Sequence, residues 1–312
     1  MKKTVSKRQT EYLIPSPKNI KEFGLDPSKI SEVYDDWSID YDGDVDLSKR
    51  NLEEIPFKFN KVSGDFNCED NQLTSLEGSP QEVGRDFWCH DNSLTTLEGA
   101  PQEVGGDFRC YDNQLTTLEG SPQEVGGNFN CGGNLLTTLK GAPKKVGRSF
   151  SCANNQLTTL EGVPQKVGED FNCYSNSLTS LEFAPQEVVG SFNCSRNQLT
   201  TLEGTPKKVG RDFWCHDNSL TSLEFAPEEV GGSFNCYDNP ILINPTKYTV
   251  EMKYEISDDN FSEDIEKIVK AFKEKLSIDQ LENIEENLSN ISINKFYKRL
   301  IIDEIQKYLK SK

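Results

Sequence analysis

Nine cysteines divide the chain at one constant interval. Cys68, Cys89, Cys110, Cys131, Cys152, Cys173, Cys194, Cys215 and Cys236 are each separated by 21 residues. A phenylalanine stands two residues before every Cys, from Phe66 to Phe234, and an asparagine three after it, from Asn71 to Asn239. Leu73, Leu76, Pro80 and Val83 complete the first unit. Disulfide frameworks have irregular spacings and zinc ligands come in close pairs; this pattern has neither. A fixed period in the twenties is the signature of a repeat solenoid. One atypical unit precedes Cys68: Val45, Leu47, Leu52, Ile55 and Val62 fall on the Phe, Cys, Leu, Leu and Val slots, with Arg50 in the Asn slot. The array therefore counts ten units over residues 41–243, and a deviant first unit is what a terminal repeat requires.

Each unit can be read physically. Phe and Cys alternate with polar residues, so F-x-C predicts a short strand with those two side chains inward. The Asn amide satisfies backbone groups of the following turn, and stacked copies form a ladder. The two Leu and the Val return to the core, and Gly and Pro turn the chain into the next strand. The unit has no room for a helix, so the return side is expected to be extended or 3₁₀-like. The short strands form a parallel sheet on the concave face, roughly 45 Å long for ten rungs about 4.8 Å apart.

The flanks differ from the array. Residues 1–40 read as an N-terminal cap, with a helical turn over Asn19–Phe23. A short helix is predicted over Pro27–Trp37, capped by Asp26 and carrying Ile30, Val33, Tyr34 and Trp37 on one side. Residues 244–312 read as a last strand within Thr249–Ile256 followed by three amphipathic helices, about 262–276, 278–288 and 293–310. That helical segment is either a C-terminal cap shielding the sheet edge or a separate partner-binding bundle.

Composition excludes several classes of function. A net charge of −17 opposes sliding along DNA or docking on an anionic bilayer. Residues 43–243 hold 15 basic and 29 acidic residues, so the basic clusters Lys144-Lys145 and Lys207-Lys208 offer at most local nucleic-acid contact. No run of residues approaches transmembrane length. The first ten residues have the charge of a signal peptide without an apolar segment behind it, so a cytosolic location is expected. No cofactor, metal ligand set or catalytic residue is expected. The Cys ladder reads as small core side chains kept reduced in a cytosol. Cys89 and His90 point to opposite sides of their strand, and the same holds for Cys215 and His216. The His-Asp neighbours therefore read as solvated pairs. Asp65, Asp86, Asp107, Asp170 and Asp212 read as a solvated acidic row, with cation binding as the alternative.

What remains is the outward side of the F-x-C strands. Core slots hardly vary, whereas the slots after Phe and after Cys vary freely and carry Trp88, His90, Arg109, Tyr111, Tyr174, Trp214, His216 and Tyr237. These residue types dominate interface energetics. Two alternatives are harmless surface aromatics and simple duplication, since residues 85–104 and 211–230 share 17 of 20 positions.

The unit G-D-F-x-C-x-x-N-x-L-T-x-L-E-G-x-P-x-x-V-G resembles the leucine-rich repeat, L-x-x-L-x-L-x-x-N-x-L, with Phe and Cys in the last two strand positions. This variant is similar to leucine-rich-repeat proteins often encoded by tailed bacteriophages. It also resembles the short-repeat effectors of pathogenic bacteria, although it lacks their L-P-x-L-P turns. Some of those effectors add a ubiquitin-ligase domain with a catalytic cysteine; every cysteine here belongs to the ladder, so that activity does not carry over. The resemblance implies a curved solenoid that binds another macromolecule. The expected function is a non-enzymatic, monomeric protein-binding module whose partner presents a basic surface, in a host cytoplasm if phage-encoded. The alternative is a structural or virion-associated spacer.

Overall fold

The computed structural model describes residues 12–240, 242–243, 250–251, 302 and 305–310. The array is a parallel β-solenoid in which each of the first nine units contributes one rung to each of two sheets, and the tenth adds Phe234–Asn235 to one of them. The first, here the Phe sheet, has ten strands, from Val45–Asp46 through Phe66–Asn67 to Phe234–Asn235. Successive rungs pair in parallel at a 21-residue offset, Phe66 opposite Phe87 and Asn67 opposite Trp88. The atypical first unit joins this sheet in the same register, Val45 opposite Phe66.

The return path, expected to be extended or 3₁₀-like, is extended and forms a second parallel sheet. Its rungs include Phe59–Val62, Glu82–Val83, Lys145–Val146 and Glu229–Val230. In this Val sheet the valines face the core while Glu or Lys faces outward. Between the two sheets lie the stacked Phe rings, with successive centroids 5.1 to 5.9 Å apart from Phe66 to Phe234. Leu73, Leu76 and their equivalents fill the rest of the core, fully buried from Leu73 to Leu220.

Two side-chain ladders tie unit to unit. Asn113 donates through Nδ2 to the carbonyls of Cys89, Cys110 and Tyr111, and its Oδ1 accepts the Leu94 N–H at 3.0 Å. The same Asn-to-Leu bond recurs at 2.9 to 3.0 Å in nine rungs, from Asn71 to Asn239. The expected ladder is therefore a set of brackets from side chain to backbone, each spanning two units. The Asp row is also structural and not simply solvated. Asp44, Asp65, Asp86 and Asp107 accept the backbone N–H of the equivalent residue one unit later, at 2.8 to 3.1 Å. Asn128, Ser149, Asp170, Ser191 and Asp212 continue the row at 2.7 to 3.4 Å.

All nine thiols are buried and free. Those of Cys110, Cys131, Cys152 and Cys173 donate to carbonyls of the next strand at 3.4 to 3.6 Å. Burial pushes every cysteine pKa up, that of Cys236 to about 12.

The N-terminal end departs from the sequence reading. Helix α1 covers Pro17–Glu22, where Ser16 caps it and Ile20 is fully buried. Phe23 then packs edge-on against Phe57 at 5.3 Å, extending the aromatic core. Asp26 does cap, but only one 3₁₀ turn, Pro27–Lys29, follows. The rest of the expected helix is a hairpin of β1 (Ile30–Val33) and β2 (Ile39–Tyr41), with β2 pairing in parallel to the Val sheet. The sheet edge supplies partners for extended backbone, and the Asp-Asp-Trp-Ser turn is closed by Asp36, which accepts the Ser38 N–H. Val33 and Trp37, assigned to an apolar face, are about half exposed, at 47% and 53%.

At the other end, Val250–Glu251 pairs antiparallel with Leu242–Ile243, within the expected last strand. The first two expected helices, and most of the third, lie outside the described residues. Within the third, 305–310 is helical, and Ile305 is buried in the same apolar cluster as the solenoid core.

Two outcomes follow from this packing. Asn113→Ala strips a buried N–H and three carbonyls of their partner and should cost about 3 kcal/mol in urea unfolding; a loss below about 1 kcal/mol would contradict the bracket. Native thiols should react slowly with a disulfide reagent. Because their folded pKa values are raised, their stabilising contribution is complete below about pH 8.5 and is lost as pH rises, since the unfolded thiols ionise first. A stability that is flat from pH 8 to 10 would contradict this burial.

Candidate functional site

The outer side of the Phe sheet is built by strand alternation: the residue after each Phe and the residue after each Cys point away from the core. Parallel register then decides who meets whom, because a residue's lateral neighbours are those 21 positions before and after it. Half of these positions are small or amide residues, such as Asn130, Gly132, Ser151 and Ala153. Against this low surface the predicted residues form two groups and one isolated member.

The first group is compact. The Arg109 guanidinium lies over the Trp88 ring, 5.3 Å from its centroid, and donates to Asp107 Oδ2 at 2.9 Å. Burial raises the Asp107 pKa, but the Asn128 N–H and the Arg109 guanidinium outweigh it and hold the carboxyl below its usual value. In the adjacent row His90 stacks on Tyr111, with centroids 4.2 Å apart and planes within 11°. Burial pushes the Tyr111 pKa up.

His90 is not the solvated residue expected from the sequence; it is 7% exposed. Its Nε2 lies 2.8 Å from Glu69 Oε2 and its Nδ1 2.9 Å from Asp91 Oδ2. Neighbours on both sides at strand spacing enclose a side chain that alternation correctly turns outward. Cys89 is fully buried in the core. The Trp88 Nε1 is buried without a hydrogen-bond partner among the described residues.

The second group repeats half of this arrangement. His216 stacks on Tyr237 at 4.4 Å and 16°. Trp214 is half-buried between Asn193 and Asn235, with no Arg over it among the described residues. The strings Arg85–Leu94 and Arg211–Leu220 are identical, yet their histidines differ because the preceding units differ. Ser195 replaces Glu69, and Arg196 replaces Asp70. His216 keeps only a 3.9 Å approach to Asp217, and its Nδ1 has no partner among the described residues. Burial, with Arg196 adding to it against Asp217, holds the His216 pKa below its ordinary value. Tyr174 stands apart and accepts from Asn154 Nδ2 at 2.9 Å.

The sequence reading treats Asp91 and Asp107 as solvated and does not single out Glu69, yet these carboxylates hold this surface in place. Reading each outward residue against the one 21 positions away would have found Glu69 beside His90. Among the described residues no group of three or more His, Cys, Asp or Glu is placed to hold a metal ion, and no helix is long and apolar enough to cross a membrane. A groove of about 890 Å³ lies elsewhere, on the outer side of the Val sheet. Its border is internally paired, Lys61 with Glu82 at 2.9 Å and Lys145 with Glu124 at 3.1 Å, and no predicted residue lines it.

The architecture is that of a parallel β-solenoid resembling leucine-rich-repeat proteins. No family model matches the chain, and no curated protein matches it. Similar solved structures include YopM from Yersinia enterocolitica, at 17% identity over 64% of this chain and 60% of that one, with a TM-score of 0.30. Another is YopM, a leucine-rich effector protein from Yersinia pestis, at 15% identity over 64% of this chain and 78% of that one, with a TM-score of 0.37. The chain thus spans less than two thirds of the first.

The paired histidines make the neighbour rule testable. Ser195→Glu places a carboxylate beside His216 as Glu69 lies beside His90, and should raise the His216 pKa in an NMR titration of the two imidazoles. In the parent, a depressed His216 pKa favours the folded state above about pH 6.5, and this contribution is lost as pH falls through the folded pKa. A His216 pKa that is unchanged or lower in Ser195→Glu would contradict the rule.

Proposed function

We propose that this chain is a non-enzymatic protein-binding module that uses the outward, concave side of its Phe sheet. The observation that carries this reading is the Trp88–Arg109 and His90–Tyr111 pair of stacks on adjacent rungs. Arg109 is tied to Asp107, and His90 to Glu69 and Asp91, so the aromatic and guanidinium groups are ordered before any partner arrives. Preordered aromatic and Arg side chains lose little entropy on binding, which is what makes such residues anchors. Gly132 and Ala153 occupy the two rungs between Tyr111 and Tyr174, leaving a low stretch that a partner's side chains can enter. Trp214, His216 and Tyr237 extend the same surface toward the C-terminal end.

The partner is a protein with basic groups, because the face is bordered by carboxylates and the chain carries a net charge of −17. Association is therefore salt-sensitive. The chain acts as a monomer in a cytoplasm, and its repeat type fits a phage-encoded protein working on host machinery.

Quantitative capture from cytosol, comparing the parent with Trp88→Ala and Trp214→Ala, tests the reading. Each substitution should weaken retention of the captured protein by about 2 kcal/mol and leave the urea midpoint nearly unchanged, since neither side chain fills the core. Full retention by the double variant would contradict it and favour a solenoid that acts only as a spacer.

A further inference from the structure

Away from the Phe sheet, two phenylalanines occupy backbone positions that bulky side chains rarely tolerate. In the eight units from Leu76 to Leu223 the chain turns through a left-handed residue two positions after the second Leu. At six of these turns it is glycine: Gly78, Gly99, Gly120, Gly141, Gly162 and Gly204, with φ from +90° to +97°. At two it is Phe183 and Phe225, with φ of +69° and +64°. A left-handed aromatic residue is a genuine outlier, because its Cβ crowds the following carbonyl. Core burial does not compensate here, since the two side chains are 47% and 54% exposed.

The neighbouring sequence isolates the substitution. Residues 85–104 and 211–230 agree at 17 of 20 positions, and Gly99 against Phe225 is one of the three differences. Both Phe turns are also fastened from the preceding unit. Gln165 Nε2 donates to the Phe183 carbonyl at 3.3 Å, and Thr205 Oγ1 donates to the Phe225 carbonyl at 2.6 Å. Among the described residues no side chain donates to the carbonyl of any of the six glycines. Strained backbone that is over-determined by its surroundings is characteristic of ligand-contacting positions.

Charge defines what would contact these rings. Glu161, Glu182, Glu203 and Glu224 directly precede the same turn in four successive units, all exposed and without an ion pair among the described residues. In the N-terminal half the row is broken by Lys140, which pairs with Glu119 at 3.7 Å. Phe183 and Phe225 lie two rungs apart, about 10 Å. Seven residues of α-helix rise about 10.5 Å, so two apolar side chains one heptad apart would meet the two rings while basic residues beside them meet the carboxylates. An anionic lipid surface would be repelled by the same row.

We infer that the turn ridge carrying Phe183 and Phe225 is a second docking surface, which takes a basic amphipathic helix of a partner protein. Fluorescence anisotropy with a labelled 18-residue Leu/Lys peptide patterned as an amphipathic helix provides the test. A peptide of equal charge with Ser in place of Leu is the control. The parent should bind the Leu/Lys peptide at least about tenfold more tightly than the control. The double variant Phe183→Gly/Phe225→Gly, which has the parent's charge, should lose that preference while its thermal midpoint stays at or above the parent's. Trp88→Ala/Trp214→Ala should retain it. The inference is overturned if the Phe variant binds like the parent, or if its midpoint falls, which would assign the rings to packing. It is equally overturned if the Trp variant loses the preference, or if the ridge instead binds phosphatidylserine vesicles.

Discussion

The strand backbone of a 21-residue unit cannot be paired within that unit, because it contains neither a helix nor a strand that folds back on itself. Each strand N–H and C=O must find its partner one unit away, and an unpaired buried group costs as much as a lost hydrogen bond. The Asn brackets meet this need at the tightest point, the turn after the Phe-sheet strand, where one amide serves two successive units. The Asp, Asn and Ser row meets it at the opposite edge, where the chain enters that strand. A solenoid held in this way is stable as a stack and not as separate units, so its ends need cover. At the N-terminal end Ile20, Leu25, Ile39 and Tyr41 belong to the same buried core as the first repeat.

The register that stacks the core also assembles the outer face. Trp88 lies beside Arg109, and His90 beside Tyr111, for the same reason that Phe87 lies beside Phe108: each pair is one unit apart. A side chain's chemistry is consequently set by the preceding and following units as much as by its own. Identical strings around His90 and His216 give one imidazole between two carboxylates and another whose Nδ1 has no partner among the described residues, where the preceding units differ by Ser195 for Glu69 and Arg196 for Asp70. Duplication of a unit therefore copies the core faithfully and the surface chemistry only in part.

The core was legible because its constraint is local: Phe, Cys, Leu, Leu and Val each recur in one slot, and every such slot is buried in the regular units from Phe66 to Leu220. The Val sheet was only partly legible, since a two-residue strand such as Glu82–Val83 is too short to display alternation. Ile30, Val33, Tyr34 and Trp37 share the spacing of a helix face, but Ile and Val also suit a strand, and an open sheet edge beside them decided the outcome. The enclosure of His90 and the bonded role of the Asp row escaped notice because both depend on residues one unit away. The outward placement of Trp88, Arg109, Tyr111, Trp214 and Tyr237 followed from alternation alone. The stacking partners within that face needed the register.

Amide hydrogen exchange at Leu94, Leu115 and Leu136 tests the stacking constraint most directly. Each of these N–H groups donates to a side-chain Oδ1, that of Asn113, Asn134 or Asn155 in the following unit, and belongs to no strand. Bracketing across units predicts that they exchange as slowly as the strand amides of Phe108 and Phe129, through opening of the stack. Exchange at the rate of exposed turn amides, with the strands still protected, would contradict it.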